Sequence, residues 1–258
     1  MSEANKEVVT EHEVLSGGES LKYVLRRPEY PACLEERLLL ITVGADWKTF
    51  LLTEPYRTTA DGFLAGGHYA LSFDIPCHGV RTKPYGEGID GFRNAWLDGD
   101  DPFERFVRDA GAIIDDCIRQ GFALPGNITV CGASRGAYMA LRLFAADPRV
   151  ARAAGFAPVT DWRFLSEFSL IRENEGVEAL RLHRYADRLA GKPLFLAIGS
   201  RDERVSTLSC CKLYTELADT NRQLGYSESL VEFYCTDDPA HTMGDHWYNK
   251  GTAFLLNR

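Results

Sequence analysis

Short apolar runs alternate with helix-like segments along most of this chain. Six runs of strand length each precede a segment with helical spacing, and they span residues 37–44, 68–76, 127–134, 152–159, 193–200 and 230–235. Before them, residues 8–28 alternate polar and apolar positions around Gly17-Gly18, which predicts an antiparallel hairpin. Strands that alternate with helices build a mostly parallel sheet covered on both faces. The pattern therefore predicts a three-layer α/β fold with about eight strands.

The clearest helix signal lies between Asp101 and Gly121. Asp101 at the N-cap, Pro102 at the first helical position and Glu104 at the third form a capping-box pattern. Apolar residues then repeat at helical spacing, namely Phe103, Phe106, Val107, Ala110, Ile113, Ile114, Cys117 and Ile118. Gly121 supplies the predicted stop.

The rest of the organisation is simple. Residues 163–190 are partly helical and longer than a plain crossover needs, so we expect a small cap segment or an extra helix there. The sequence has no internal repeat, low-complexity tract or linker-like composition. It therefore predicts a single domain over residues 1–258.

Charge and composition narrow the class of protein. A formal net charge of −8 and a sequence pI of about 5.3 argue against nucleic acid or an anionic membrane as the main partner. The first residues are polar and acidic, and no apolar run approaches the roughly 20 residues of a membrane span. Seven cysteines without metal-like Cys-x-x-Cys spacing, Cys117 and Cys131 among them, are expected to be reduced core thiols. We therefore expect a cytoplasmic protein.

The segment "GASRG" is the strongest candidate for chemistry. It ends one apolar strand and opens a helix, with Gly132 two residues before Ser134 and Gly136 two residues after it. So tight a turn forces its central residue to a strained positive φ and brings the strand and helix backbones together, hence the glycines. Ser134 is therefore the candidate nucleophile, and the N–H of Arg135 is a candidate oxyanion donor.

A serine nucleophile needs a base within hydrogen-bond reach and an acid to orient that base. Asp202 follows the strand that ends at residue 200, and His241 lies on the loop after the last strand. The order serine, acid, histidine is that of the α/β-hydrolase arrangement. Asp161 is the rival acid, and His246, placed on the first turns of the final helix, is the rival base.

The second oxyanion donor should come from the turn "ITVGADW" after the first parallel strand. The backbone N–H of Ala45 and that of Asp46 are both candidates. We expect no metal, because His241 and His246 are five residues apart and no His-x-His or His-Glu-x-x-His spacing exists.

The chain resembles the α/β-hydrolase superfamily, and within it the prolyl oligopeptidase and dienelactone hydrolase-like branch of esterases and peptidases. The similarity spans roughly residues 35–258 and is carried by "CGASRGAYMAL", "DIPCHGVR", "APVTDW" and "GSRDERVSTLSCCKLYTEL". It implies Ser134 as nucleophile, Asp202 as acid and His241 as base.

Two positions depart from the pattern of that branch. Its usual His-Gly at the oxyanion loop is here Val43-Gly44, and Cys77 replaces the usual glycine before His78. We interpret His78 as a brace for its loop rather than as a catalytic group.

Three tryptophans follow predicted strand ends at the edge where Ser134 is expected. Trp47, Trp162 and Trp247 therefore predict an aromatic-lined substrate pocket, with core packing beneath the loops as the alternative for each ring. The Arg135 side chain could bind a substrate carboxylate or form a salt bridge to a neighbouring loop, and we favour the bridge.

The sequence thus predicts a serine hydrolase that cleaves small to medium carboxylic esters through an acyl-enzyme, with no cofactor and a small-molecule ester as its partner. One alternative is an oligopeptidase-type peptidase, although the chain length leaves no room for the large gating domain that usually accompanies that activity. Another is a non-catalytic binding protein that retains the fold. A homo-oligomer is left open.

Overall fold

Eight strands form one sheet at the centre of the structure, a computed structural model that describes residues 6–226 and 230–257. In chain order the strands are β1 (Glu7–Ser16), β2 (Glu19–Pro28), β3 (Leu39–Val43), β4 (Tyr69–Phe73), β5 (Ile128–Ala133), β6 (Val150–Phe156), β7 (Leu194–Arg201) and β8 (Val231–Pro239). Their order across the sheet is β1-β2-β4-β3-β5-β6-β7-β8. β2 pairs antiparallel with both β1 and β4, and the other pairs are parallel. The predicted sheet and N-terminal hairpin are confirmed.

Helices cover this sheet. They are α1 (Trp47–Leu52), α2 (Thr58–Ala65), α3 (Gly88–Leu97), α4 (Pro102–Arg119), α5 (Arg135–Ala146), α6 (Glu175–Ala179), α7 (Ala186–Leu189), α8 (Thr207–Gln223) and α9 (Asp245–Leu256). Every residue of β3, β4 and β5 is buried, which requires packing on both faces of the sheet. The predicted three-layer α/β arrangement is therefore observed. No helix among the described residues is both long and apolar enough to cross a lipid bilayer.

Helix α4 begins and ends where the sequence predicts. The Asp101 carboxylate accepts hydrogen bonds from the N–H groups of Phe103, at 2.8 Å, and Glu104, at 3.0 Å, while Gly121 lies just beyond the helix at φ 69°. The predicted capping box forms only in part: the Asp101 cap is present, but the return bond of Glu104 is not. Glu104 does not return to the N-cap; it pairs with Arg142 of α5, a buried guanidinium that needs a counter-charge.

The segment from residue 163 to residue 190, where a small cap or an extra helix is expected, is a series of short helices and 3₁₀ turns. It begins within the 3₁₀ turn Trp162–Phe164 and contains α6, α7 and the 3₁₀ turns Ser166–Ile171 and Leu182–Tyr185. The Glu167 side chain forms an ion pair with Arg204, which lies in the loop between β7 and α8. This ion pair connects the segment to the loop that carries the candidate acid.

Candidate active site

Ser134 occupies a strained corner between β5 and α5. Its backbone has φ 55° and ψ −120°, a region that side-chain-bearing residues rarely adopt. Hydrogen bonds on both sides hold it there: the Ser134 N–H donates to the Phe156 carbonyl at 2.8 Å, and the Val159 N–H donates to the Ser134 carbonyl at 3.1 Å. The positive φ expected from the sequence is confirmed.

The flanking glycines are required by close backbone contacts. A Cβ added to Gly132 would lie 2.4 Å from the Gly136 carbonyl oxygen, and one added to Gly136 would lie 2.2 Å from the Val43 carbonyl oxygen. The first glycine lets helix α5 approach its own strand, and the second lets it approach the end of β3. The loop after β3 is thereby held beside the nucleophile.

A chain of hydrogen bonds joins the three candidate triad residues. His241 Nδ1 lies 2.7 Å from Asp202 Oδ2, and His241 Nε2 lies 3.0 Å from Ser134 Oγ. The three side chains come from loops at the ends of three strands: Ser134 follows β5, Asp202 follows β7, and His241 lies between β8 and α9. Both distances are hydrogen-bond distances, and the second is within the range for proton transfer from a nucleophile to its base.

The Asp202 carboxylate is fully buried and held from two directions. The other carboxylate oxygen accepts a hydrogen bond from the Val205 N–H at 3.2 Å, and the backbone N–H of Asp202 donates to the Thr207 hydroxyl at 3.1 Å. A carboxylate fixed on Nδ1 keeps the proton on that nitrogen and leaves the Nε2 lone pair facing the serine. Neither Val205 nor Thr207 is recognisable from the sequence, since a backbone donor and a threonine in a loop belong to no motif.

The rival residues lie elsewhere. The Asp161 carboxylate accepts a hydrogen bond from the Arg163 N–H at 3.0 Å and forms an ion pair with the Arg163 guanidinium at 2.6 Å. The His246 side chain is half exposed on α9, with Nε2 3.8 Å from an oxygen of Asp238. Neither residue joins the hydrogen-bond chain to Ser134.

The candidate oxyanion donors lie at the start of α5 and in the loop after β3. Arg135 is the first residue of α5, so its N–H has no partner within the helix. Asp46 caps α1 by accepting from the Thr49 N–H at 3.0 Å, and its own N–H lies close enough to its own carboxylate to favour the charged form of that group. That arrangement favours Ala45 over Asp46 as the second donor. Gly44 has no side chain because a Cβ there would lie 1.6 Å from the Phe50 ring.

The predicted tryptophan pocket needs correction. Trp162 and Trp247 are fully buried, so neither ring offers a surface to a substrate, and the alternative of core packing describes both. Trp162 packs against several rings, namely Phe92, Phe103, Tyr138 and Phe168. Trp247 donates from Nε1 to the Thr236 hydroxyl at 2.9 Å. Trp47 alone of the three is partly exposed, and its contact with substrate stays a prediction.

The loop after β4 shows why glycine is usual at the position that Cys77 occupies here. Cys77 has φ 61°, a left-handed conformation that favours glycine, which accounts for the glycine usual at this position. His78 is 2% exposed, and its Nδ1 lies 2.9 Å from the Pro76 carbonyl oxygen. Burial, with a smaller contribution from the positive charge of Arg135, lowers the pKa of His78 to about 4. His78 is therefore neutral near pH 7 and braces its loop.

The favoured salt bridge of Arg135 is not found. Among the residues that the structure describes, none forms a hydrogen bond or an ion pair with this guanidinium, and its Nε is buried without a partner. Glu167, an acidic group of the 163–190 segment whose charge affects the pKa of Arg135, is bound to Arg204 instead. No cluster of three His, Cys, Asp or Glu side chains suited to a metal ion is found within residues 6–226 and 230–257.

Comparisons with known proteins agree with this architecture. An esterase from an Arctic intertidal metagenomic library, described as cold-adapted, superimposes with a TM-score of 0.71 and 21% identity over 99% of this chain and 95% of its own. The Pyrococcus furiosus esterase Pf2001 superimposes with a TM-score of 0.66 and 17% identity, over 96% of this chain and 90% of its own. A putative dipeptidyl aminopeptidase IV from Bacteroides ovatus superimposes with a TM-score of 0.75 and 15% identity, over 97% of this chain but only 36% of its own. No curated protein matches the sequence.

The family assignment rests on the sequence itself. Residues 88–257, more than half of the chain, match the sequence profile of the prolyl oligopeptidase family. The matched region contains the serine corner, the loop after β7 and the loop before α9. The chain therefore belongs to the prolyl oligopeptidase family and is a hydrolase of the α/β-hydrolase fold.

Proposed function

We propose that this protein is a serine esterase that cleaves small to medium carboxylic esters, with Ser134 as nucleophile, His241 as base and Asp202 as orienting acid. One observation carries the proposal: the unbroken hydrogen-bond chain from the buried Asp202 carboxylate through the imidazole to the Ser134 hydroxyl. The strained backbone at Ser134 supports it, because strain of this kind is kept where surrounding structure holds a reactive group in place.

The mechanism follows from this geometry. His241 Nε2 takes the hydroxyl proton as Ser134 Oγ attacks the ester carbonyl, and the Asp202 carboxylate stabilises the imidazolium that forms. His241 then returns the proton to the departing alcohol, which leaves an acyl group on Ser134. A water molecule that gives its proton to the same Nε2 attacks the acyl-enzyme, and the carboxylic acid is released.

Backbone donors stabilise the charge that develops on the carbonyl oxygen. The Arg135 N–H, at the start of α5, and the Ala45 N–H, in the loop held beside that helix, are the proposed donors. A single donor of this kind contributes about 3–4 kcal/mol to transition-state stabilisation where it has been tested.

An oligopeptidase-type peptidase is the second candidate, favoured by the family to which the chain belongs. The esterase neighbours support ester hydrolysis instead, because this chain covers 95% and 90% of their lengths. The match to the putative dipeptidyl aminopeptidase IV covers 36% of that protein, and the match to a chain from a structural study of two prolyl endopeptidases covers 38% of that chain.

Labelling with a fluorophosphonate probe tests the catalytic role of Ser134. The wild-type protein and Ser200→Ala, which removes an exposed hydroxyl at the end of β7, should be labelled, and Ser134→Ala should not. Equal labelling of Ser134→Ala would overturn the proposal. A short-chain p-nitrophenyl ester and an aminoacyl arylamide then distinguish the two activities, since an esterase cleaves only the ester and a peptidase cleaves the arylamide as well.

A further inference from the structure

The Arg135 side chain directly follows the nucleophile, is partly buried with its Nε fully covered, and has no counter-ion among the described residues. Burial lowers the pKa of this group, yet a guanidinium stays protonated, so it cannot escape the cost of burial by losing its proton. Buried charges in proteins are ordinarily paired, because an unpaired one loses its hydration without compensation. Among the described residues, nothing pairs with Arg135.

The acidic groups near Arg135 are already bound to other partners. Glu167 and Asp46 lie close enough for their charges to affect the pKa of Arg135. Glu167 forms its ion pair with Arg204, and Asp46 accepts from the backbone N–H and the hydroxyl of Thr49. The guanidinium therefore keeps its full positive charge and its capacity to donate hydrogen bonds.

The neighbouring histidine does not neutralise this charge. His78 is neutral, its Nδ1 is bound to the Pro76 carbonyl, and its buried Nε2 has no partner among the described residues. Two buried polar nitrogens, Arg135 Nε and His78 Nε2, thus lack partners in the neighbourhood of the nucleophile. This is the condition expected of a site whose missing partner arrives with a ligand.

We propose that the Arg135 side chain binds a carboxylate of the substrate, so that the preferred esters carry a carboxylate a few atoms from the bond that is cleaved. The inference rests on the proposed esterase function and adds a substrate class to it. A guanidinium and a carboxylate match in shape and form two parallel charge-assisted hydrogen bonds. Because Arg135 follows Ser134, such a contact would also place the ester carbonyl at the nucleophile.

Two pairs of esters test this inference, and in each pair a carboxylate is replaced by a neutral group of similar shape. For the alcohol side, 4-acetoxybenzoate is compared with 4-acetoxybenzamide; for the acyl side, p-nitrophenyl hydrogen adipate is compared with its methyl ester. The measured quantity is the ratio of kcat/KM for the anionic and neutral members, which cancels any general loss of catalytic power in a variant. Wild type should prefer the anionic member of at least one pair by about 10- to 100-fold.

The variants should change this ratio in opposite directions. Arg135→Gln should bring the ratio close to one, and Arg135→Lys, which keeps the charge but not the bidentate geometry, should keep part of the preference. Glu167→Gln should raise the ratio, because it removes a negative charge near the guanidinium. A wild-type ratio near one for both pairs, or an unchanged ratio in Arg135→Gln, would overturn the inference. If neutral esters are still cleaved, the proposed function stands; if Ser134 is not labelled, both fail.

Discussion

Replacing Gly136 with alanine would force a methyl group into the backbone of the loop that holds the proposed oxyanion donor. The added Cβ would lie 2.2 Å from the Val43 carbonyl oxygen and 2.9 Å from Gly44 Cα. Carbon and oxygen atoms that are not bonded rarely approach much below 3 Å, so α5 and the end of β3 must separate by about 1 Å. Both contacts are with backbone atoms, which cannot move away by changing a rotamer.

The expected cost has two parts. Overpacking of this kind costs about 1–3 kcal/mol, and the higher helix propensity of alanine returns up to about 1 kcal/mol. We expect a net loss of about 1–2 kcal/mol in the free energy of unfolding, which lowers Tm by about 2–8 °C in a protein of this size. A displacement of about 1 Å between Ser134 and the Ala45 N–H should reduce kcat/KM for a neutral ester by about 100-fold.

Gly111 provides the matched control. It also lies inside a helix, α4, but a Cβ added there meets no atom within 4 Å. Gly111→Ala should therefore raise Tm slightly and leave kcat/KM unchanged. The measurements are thermal unfolding and ester hydrolysis for both variants. A Gly136→Ala protein with wild-type Tm and wild-type kcat/KM would refute the close approach of α5 to the end of β3.

Three further predictions concern single residues. Asp202→Asn should lower kcat by about 10⁴-fold by favouring the wrong imidazole tautomer, whereas Asp161→Asn should stay within about 10-fold of wild type when assayed well below its Tm. Because the pKa of His78 falls from 6.5 to about 4 on folding, the unfolded chain binds this proton first as pH falls. The free energy of unfolding should then decrease by about 3 kcal/mol between pH 6.5 and 4. In His78→Asn, the free energy measured by denaturant unfolding should lack this part of the pH dependence. Cys77→Gly should be more stable than Cys77→Ala by about 1 kcal/mol in the same assay, since only glycine relieves the positive φ; equal stabilities would contradict this reasoning.

The position of the candidate triad could be predicted because it depends on topology. The carboxyl ends of parallel strands lie at one edge of a sheet, so residues that follow three strand ends must come close together. Ser134, Asp202 and His241 needed only this rule and their order along the chain. The Gly-x-Ser-x-Gly turn added the strained backbone, which is a local property.

Pairing between distant segments could not be predicted. Glu167 binds Arg204 rather than Arg135, and Glu104 binds Arg142 rather than its own N-cap, because these choices depend on which chains pack together in three dimensions. The tryptophans show the same limit. The sequence places Trp162 after a strand, but only the packing of the loops decides whether the ring faces solvent or core.

The place of β8 in the sheet has a consequence for how activity is acquired. Among the described strands β8 pairs only with β7, at one margin of the sheet, and the imidazole of His241 lies in the loop that follows β8. The base therefore reaches the serine only after β8 has docked on β7. In a refolding experiment, turnover should recover later than the fluorescence change that marks burial of Trp162, which makes hydrolysis a reporter of the last folding event.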